Sequence, residues 1–359
     1  MHLPHYAKRT LAALALCALV VGCGGDSTAP DAPFDPAGTS SDIGAMQASF
    51  DSPAMAGYVA ASAAIGDALG ESAAAAAVRV VPTKALIAGG KPAAGHYAGL
   101  LARTYVEPAG GIRPSLSTAA IPAEYLGVTF TYDVETDQYG PSDLDGAPAN
   151  GVRFIVYAVD PISGAVIEPL VEVGYADVVT TETASSATVR VELVSGGVTY
   201  LDYAVGATGS ASASTVALTI SGFVSNGDDR VDFDLDTHLD LNSTSVTLDY
   251  SLIVPTRGGF RIDFEGESTD GSVTSTLEAR GPHGTVSISG TQTSSTATFE
   301  VEVNGELFGT ITTTGSAEPV ITGADGEPLT EAELEALGDI FAIFCQGFYF
   351  FQDLFAPLP

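Results

Sequence analysis

Hydrophobic and polar residues alternate along most of the chain after residue 127. Val128, Phe130 and Tyr132 are separated by polar neighbours, and the same period of two recurs in successive segments up to residue 311. Alternation of this kind places neighbouring side chains on opposite faces of a strand, one facing a core and one facing water. The pattern predicts a mainly β fold of roughly ten strands, with helices at its two ends.

Short polar segments separate the predicted strands, as at residues 225–229 and 256–259. Short connections join antiparallel neighbours, because parallel strands need long crossovers. Asn304-Gly305 lies between two alternating segments and is a strong hairpin signal, since a type I′ turn needs positive φ at both central residues. We therefore expect one large antiparallel meander sheet over residues 128–320, curled into a half-barrel or an open barrel.

One part of this region departs from the alternation. Residues 138–151 are rich in Gly and Pro and predict a long loop. The apolar run at residues 152–159 that follows is typical of a strand buried on both faces.

Helical segments are expected on both sides of the sheet. Residues 42–127 form a helical and mixed N-terminal segment, Ala-rich at its start, with a break near residue 52. In the C-terminal segment, residues 321–359, Thr330 and Glu333 have capping-box spacing ahead of a helix that is apolar nearly all round. We expect this apolar helix to pack inside the curled sheet. A membrane-spanning helix is the alternative interpretation.

The N-terminus has the layout of an export signal. Lys8 and Arg9 precede an apolar run at residues 11–21, which is shorter than the roughly 20 residues that a membrane span needs. The run ends in a small residue followed by Cys23. This layout resembles the bacterial lipoprotein signal, and the resemblance implies that residues 1–22 are removed and that Cys23 is acylated and becomes the new N-terminus.

The same resemblance implies a location in the cell envelope, with the protein anchored to a membrane by lipid such as palmitate. Gly24, rather than an acidic residue, follows Cys23, which in lipoprotein sorting favours the outer membrane over the inner membrane. Residues 23–41 are rich in Gly, Ser, Thr and Pro and predict a flexible tether. A curled sheet around apolar helices is also similar in architecture to periplasmic lipoprotein carriers, although no motif is shared.

The charge balance is strongly acidic, with 44 acidic and 13 basic residues and a formal net charge of −31. Such a field repels nucleic acid and attracts cations and basic partners. A surface kept soluble by acidic residues is the simpler interpretation. One strand carries ionisable residues at alternate positions, which predicts a solvated outer face because a straight ladder does not converge on a cation. These residues are Asp232, Asp234, Asp236, His238 and Asp240.

Candidate catalytic and metal-binding groups are few. The histidines after Cys23 are His96, His238 and His283, which are far apart in sequence and lack metal-ligand spacing. Cys345 lies in an apolar segment and is expected to be a buried hydrophobic residue. Neither a nucleophile elbow nor a phosphate-binding loop occurs, so the sequence favours a protein without enzymatic activity or cofactor.

A looser acidic cluster surrounds the predicted loop after residue 138. Carboxylates are the ligands that hard cations prefer, so these side chains are the candidates for a cation site if the chain brings them together. The two central candidates are Asp143 and Asp145, with Asp133, Glu135 and Asp137 nearby in sequence.

Three functions are compatible with these features. We expect a membrane-anchored envelope lipoprotein that acts as a structural or interaction module, with an unknown envelope protein as its partner. The alternative is a carrier or sensor that holds an apolar, lipid-like ligand between the sheet and the C-terminal helix. A hydrolase would require a cleft in which one of the histidines meets a carboxylate and a hydroxyl.

Overall fold

The computed structural model describes two helices and one β-sheet. The described residues are 34–70, 121–161, 163–183, 186–208, 215–240, 245–269, 271–293, 295–314, 319–331 and 334. The helices are α1 (Pro36–Ala48) and α2 (Pro53–Leu69). The strands are β1 (Thr129–Asp133), β2 (Gln138–Ser142), β3 (Gly151–Tyr157), β4 (Glu172–Glu182), β5 (Ser186–Ser195), β6 (Val198–Thr208), β7 (Thr215–Ser225), β8 (Arg230–Asp240), β9 (Ser245–Val254), β10 (Phe260–Thr269), β11 (Ser272–Gly281), β12 (Gly284–Thr293), β13 (Thr296–Val303), β14 (Glu306–Thr314) and β15 (Val320–Gly323).

Several predictions concern residues outside these ranges. The signal, Cys23 and most of the tether lie outside the described residues, as do His96 and Cys345. The predicted apolar C-terminal helix also lies outside them, apart from its first residues up to Glu331 and Leu334. These predictions therefore stay predictions.

The fifteen strands form one open sheet, and the prediction of a mainly β fold is confirmed. From β3 to β15 each strand pairs with the next along the chain, all antiparallel, which confirms the meander. The sheet is nevertheless mixed, because β1 pairs parallel with β3, with Phe130 beside Phe154. The sheet is not closed, and its edge strands are β2 and β15.

The predicted loop at residues 138–151 is wrong in its first part, where the structure has β2. Gly140 and Pro141 conceal this strand in the sequence, because neither residue favours a sheet. Proline is tolerated here because β2 is an edge strand, where one row of backbone N–H groups needs no partner. The predicted hairpin between β13 and β14 is confirmed, since Asn304 and Gly305 have φ values of 53° and 79°.

Helix α1 begins earlier than expected, inside the predicted tether. The side chain of Asp35 accepts a hydrogen bond from the Ala37 backbone N–H at 3.1 Å, and Pro36 occupies the first helical position. An acidic N-cap followed by proline is a favourable helix start, so the helix replaces the last part of the tether. The expected break near residue 52 is confirmed, because Ser52 caps α2 by accepting from the Met55 N–H at 3.1 Å.

The inner face of the sheet carries the core. Along β8, Val231, Phe233 and Leu235 are buried and alternate with exposed or half-exposed residues. Helix α2 packs on the inner face of β2 to β6, where Tyr58 and Tyr203 are fully buried. Helix α2 comes closest to β3 at position 57, where a side chain would meet the Tyr157 carbonyl oxygen, and this explains why a glycine is found there.

Helix α1 lies across the turns at one end of the sheet, which we call the capped end. The Asn226 side chain, in the β7–β8 turn, donates to the Ala48 carbonyl oxygen at 2.8 Å. The Asp35 backbone N–H donates to the carbonyl oxygen of His283, in the β11–β12 turn, at 2.8 Å. The helix therefore connects hairpins that are four strands apart. Neither described helix is both long enough and apolar enough to cross a membrane.

Candidate interaction surfaces

The outer face of the sheet is charged, and its positive charges are all engaged by carboxylates. Arg153 and Asp177 form a bidentate pair with both N–O distances at 2.7 Å, and Arg190 contacts Asp202 in the same way. Each arginine within the described ranges has such a partner. The remaining pairs are Arg230 with Asp232, Arg257 with Asp229, Arg261 with Asp263, and Arg280 with Asp263 and Glu278.

Three carboxylates on the same face lie in register across neighbouring strands. Asp249 of β9 is directly opposite Asp236 of β8 on one side and Glu265 of β10 on the other. We call these three residues the carboxylate row. Directly opposed side chains have Cβ atoms about 5 Å apart, and like charges at that distance destabilise a sheet. The structure shows no cation paired with the row among the described side chains.

The neighbouring Asp234 also responds to this concentration of charge. Partial burial raises the pKa of its carboxyl above the ordinary value, and the negative charge of Asp236 raises it further. The predicted outer position of the acidic residues on β8 is thus observed, with Asp234 and His238 exposed. Sequence reasoning identified the acids along β8 but missed the row across three strands, since a row depends on register.

The capped end brings His283 between two carboxylates of α1. The Nδ1 atom lies 3.5 Å from Asp35 Oδ2, and the Nε2 atom lies 3.6 Å from Asp42 Oδ2. Gly38 permits this approach, because a Cβ atom there would fall 2.3 Å from the imidazole ring. Among the described residues no hydroxyl is bonded to the ring of His283.

Asp42 itself is the more unusual group of this cluster. Its side chain is only 6% exposed, and its Oδ2 atom accepts no hydrogen bond from any described residue. Burial raises the pKa of the Asp42 carboxyl, while the charges of His283 and Arg257 act in the opposite direction. The cluster fastens α1 to the β11–β12 turn.

The predicted cation candidates are not brought together. Asp143 and Asp145 are exposed in the segment after β2, at the end of the β1–β2 hairpin opposite its turn. The other predicted carboxylates lie in or beside that turn, about 17 Å or more away along the strands. There, Asp137 accepts a hydrogen bond from the Tyr132 hydroxyl. Within the described ranges, no group of three or more His, Cys, Asp or Glu residues could hold a metal ion.

The inner face changes character at the end of the sheet opposite α1. A lateral row of apolar side chains there is only half-buried, whereas the rows nearer the capped end are buried. Behind it lie the buried polar side chains of Thr237 and Ser275. We call this row the apolar rim. It consists of Val216, Leu239, Val246 and, on the far side of Ser268, Val273.

A second apolar feature lies at the capped end of β1 to β6. Five large apolar side chains, four from the β1–β2 and β3–β4 connections and one at the start of β6, are each 37–50% exposed. We call them the loop patch. The residues are Val134, Ile167, Leu170, Val171 and Val198.

Comparison with known proteins does not assign this chain to a family. No protein-family model, no curated protein and no solved structure matches the chain. The functional argument therefore depends on the geometry and chemistry of the chain itself.

Proposed function

We propose that this protein is a cell-envelope lipoprotein, held by the lipid on Cys23 at the outer membrane, that acts as an interaction module for a basic partner. The observation that carries the interaction part is the carboxylate row. Its three acidic side chains face one another without a paired cation among the described residues, whereas the arginines nearby pair with other carboxylates. A partner that presents Lys or Arg would relieve this repulsion on binding.

Repulsion within the carboxylate row of the free protein favours the binding of a cationic group. Each opposed pair of like charges costs about 0.2–1 kcal/mol in the free protein, and a bound cationic group turns that cost into an attraction. The high net negative charge of the whole chain also steers basic molecules towards the protein over longer distances. The net charge thus increases the rate of encounter with a basic partner, and the carboxylate row provides the site at which that partner binds.

The finer architecture belongs to the same proposal. We infer that the sheet curls around the apolar segment that follows Glu331. The phenylalanines of that segment would then be buried against the inner face of the sheet. The large apolar side chains on the inner side of β10 to β12 support this, with Phe264, Leu277 and Ile288 all buried. The outer face would then be the broad surface that remains available to a partner.

Binding of poly-lysine to the full chain tests the interaction surface. A triple variant that converts the carboxylate row to Asn and Gln should bind poly-lysine about tenfold more weakly at low salt, and the difference should shrink at high salt. A control variant removes the same charge from three exposed glutamates elsewhere. The control substitutions are Glu124→Gln, Glu306→Gln and Glu331→Gln. Equal weakening by the two variants would mean that only net charge matters, and the row would lose its assigned role.

The anchor is tested separately. Radiolabelled palmitate should be incorporated into the wild-type protein, and Cys23→Ser should abolish both the label and recovery in the membrane fraction. Cys345→Ser is the matched control and should change neither result. Incorporation that survives Cys23→Ser would refute the lipoprotein assignment without affecting the interaction surface.

A carrier of an apolar ligand is the second candidate function, and the apolar rim favours it. Helix α1 covers one end of the sheet, while the half-buried side chains of the rim lie at the other end of the inner face. A ligand could enter there past these apolar side chains. Native mass spectrometry of protein purified from membranes would show a bound lipid if this is correct, and a ligand-free mass at every gentle condition would contradict it.

A further inference from the structure

The loop patch is an unusual surface for a protein with so much acidic charge. Large apolar side chains that are exposed singly are normal, but a contiguous group rimmed by polar residues marks an interaction site. The β1–β2, β3–β4 and β5–β6 connections all turn at the same end of the sheet, on strands that are neighbours in it. Three separate segments therefore contribute to one surface.

Backbone hydrogen bonds hold the patch in place. The Ala158 N–H donates to the Val171 carbonyl oxygen at 2.8 Å, and the Ile167 N–H donates to the Ala158 carbonyl oxygen at 2.9 Å. The β3–β4 connection thus folds back on itself and presents Ile167 and Val171 from a short ladder. The Ser195 hydroxyl bonds the Val173 carbonyl oxygen, which brings the β5–β6 turn, with Val198, to the same place.

The charges around the patch are all negative. A hydrogen bond to Asp137 raises the pKa of Tyr132 to about 12, with smaller contributions from burial and from the charges of Asp137, Asp133 and Glu168. Burial and then the charge of Glu172 raise the pKa of Tyr157. The three connections contain no Lys, Arg or His. Acidic groups from more than one connection therefore surround the apolar side chains.

We propose that the loop patch docks a protein segment that presents apolar side chains flanked by Lys or Arg, as one face of a basic amphipathic helix does. This inference rests on the proposed function and narrows its partner from a basic protein to a basic amphipathic segment. Apolar contact supplies the binding surface, and the acidic rim selects the charge of the partner. The acidic residues around the loop patch also disfavour binding to an anionic lipid surface, because like charges repel.

The test uses the full chain and a synthetic helical peptide of leucine and lysine as the probe. The double variant Leu170→Ser/Val171→Ser should weaken peptide binding about tenfold, because it removes two of the five apolar side chains of the patch. Leu126→Ser/Leu144→Ser is the matched control, since both leucines are exposed at the opposite end of β1 and β2. The control should bind as the wild type does, and a peptide of leucine and glutamate should not bind.

Each other outcome identifies a different error. Equal loss in the two double variants, or tight binding of the glutamate peptide, would overturn the assignment of the patch. Sedimentation that shows a wild-type dimer and a monomeric patch variant would identify a second copy of this chain as the occupant. Patch-dependent binding to phosphatidylglycerol vesicles would instead identify a membrane, and both results would refute a basic partner. Loss of poly-lysine binding in the carboxylate-row variant, with no effect of the patch variant on the helical peptide, would leave the proposed function standing without the patch.

Discussion

The close contact between α2 and β3 predicts that two helical glycines will respond differently to replacement by alanine. At Gly57, an added Cβ atom would lie 2.5 Å from the Tyr157 carbonyl oxygen and 2.8 Å from Val156 Cγ1. At Gly44 in α1, an added Cβ atom would meet nothing within 4 Å. Both residues lie inside helices, so Gly57→Ala and Gly44→Ala differ mainly in the packing that each new methyl group meets.

The expected magnitudes follow from two opposing effects. Replacing glycine by alanine inside a helix contributes up to about 1 kcal/mol of stability, because alanine loses less backbone freedom on folding. At Gly57 the helix would also have to retreat by about 0.9 Å to restore ordinary contact, which forfeits a quarter to a half of the dispersion energy at that interface. Overpacking typically costs about 1–3 kcal/mol, and a carbonyl oxygen held in a strand ladder favours the upper part of that range.

We therefore expect Gly57→Ala to lower the free energy of unfolding by about 2 kcal/mol and Gly44→Ala to raise it by up to about 1 kcal/mol. In a protein of this size these values correspond to a melting temperature about 3 °C lower and about 1 °C higher, respectively. Urea denaturation followed by circular dichroism measures both. A Gly57→Ala protein as stable as the Gly44→Ala protein would refute the packing of α2 on β3 described above.

Three further predictions concern charge and capping. Asp249→Asn should raise the free energy of unfolding by about 1 kcal/mol at low salt, because it relieves two opposed pairs, and a gain that persists in 1 M NaCl would argue against repulsion as the cause. The pKa of Asp42 is higher in the folded protein than its ordinary value of 3.8, so the stability that this carboxyl contributes is lost as pH rises through the folded-state pKa. Asp42→Asn should therefore change the free energy of unfolding more favourably at pH 7 than at pH 4, as measured in parallel urea titrations. An equal change at the two pH values would contradict the raised pKa. Ser52→Ala should cost about 1 kcal/mol and Ser52→Gly only a few tenths in the same assay, and equal costs would show that the N-cap bond of α2 is unimportant.

Local sequence patterns predicted the parts of the fold that are determined locally. The period of two along β8 identified its buried and exposed faces, because alternation is a property of a single strand. Asn304-Gly305 predicted its hairpin, since both residues accept the positive φ that the turn imposes. The helix break at Ser52 followed from its neighbouring proline.

The parts that were missed depend on distant partners. β2 contains Gly140 and Pro141, and it is a strand only because β1 pairs with it at the sheet edge. The parallel pairing of β1 with β3 leaves no mark in either segment. The early start of α1 is different, because the Asp35-Pro36 signal was present in the sequence and a composition typical of a tether concealed it.

The candidate surfaces were missed for the same reason. The acids of β8 were visible as an alternating ladder, but the carboxylate row exists only because the registers of β8, β9 and β10 bring Asp236, Asp249 and Glu265 opposite one another. A shift of one residue would turn a carboxylate to the inner face. The loop patch likewise joins three turns that are separate in sequence and adjacent only after folding.

The carboxylate row lies on strands whose turns are firmly connected. The Thr256 hydroxyl donates to Asp229 at 2.9 Å, and Arg257 pairs with the same carboxylate at 3.3 Å, so the β9–β10 turn is fastened to the β7–β8 turn. Helix α1 adds the bond from Asn226 to Ala48 across the same turns. Strands held in this way cannot splay apart to relieve the repulsion within the row. The opposed charges are therefore kept at a fixed spacing on a rigid face, which is the arrangement that a basic partner could recognise without first reorganising the surface.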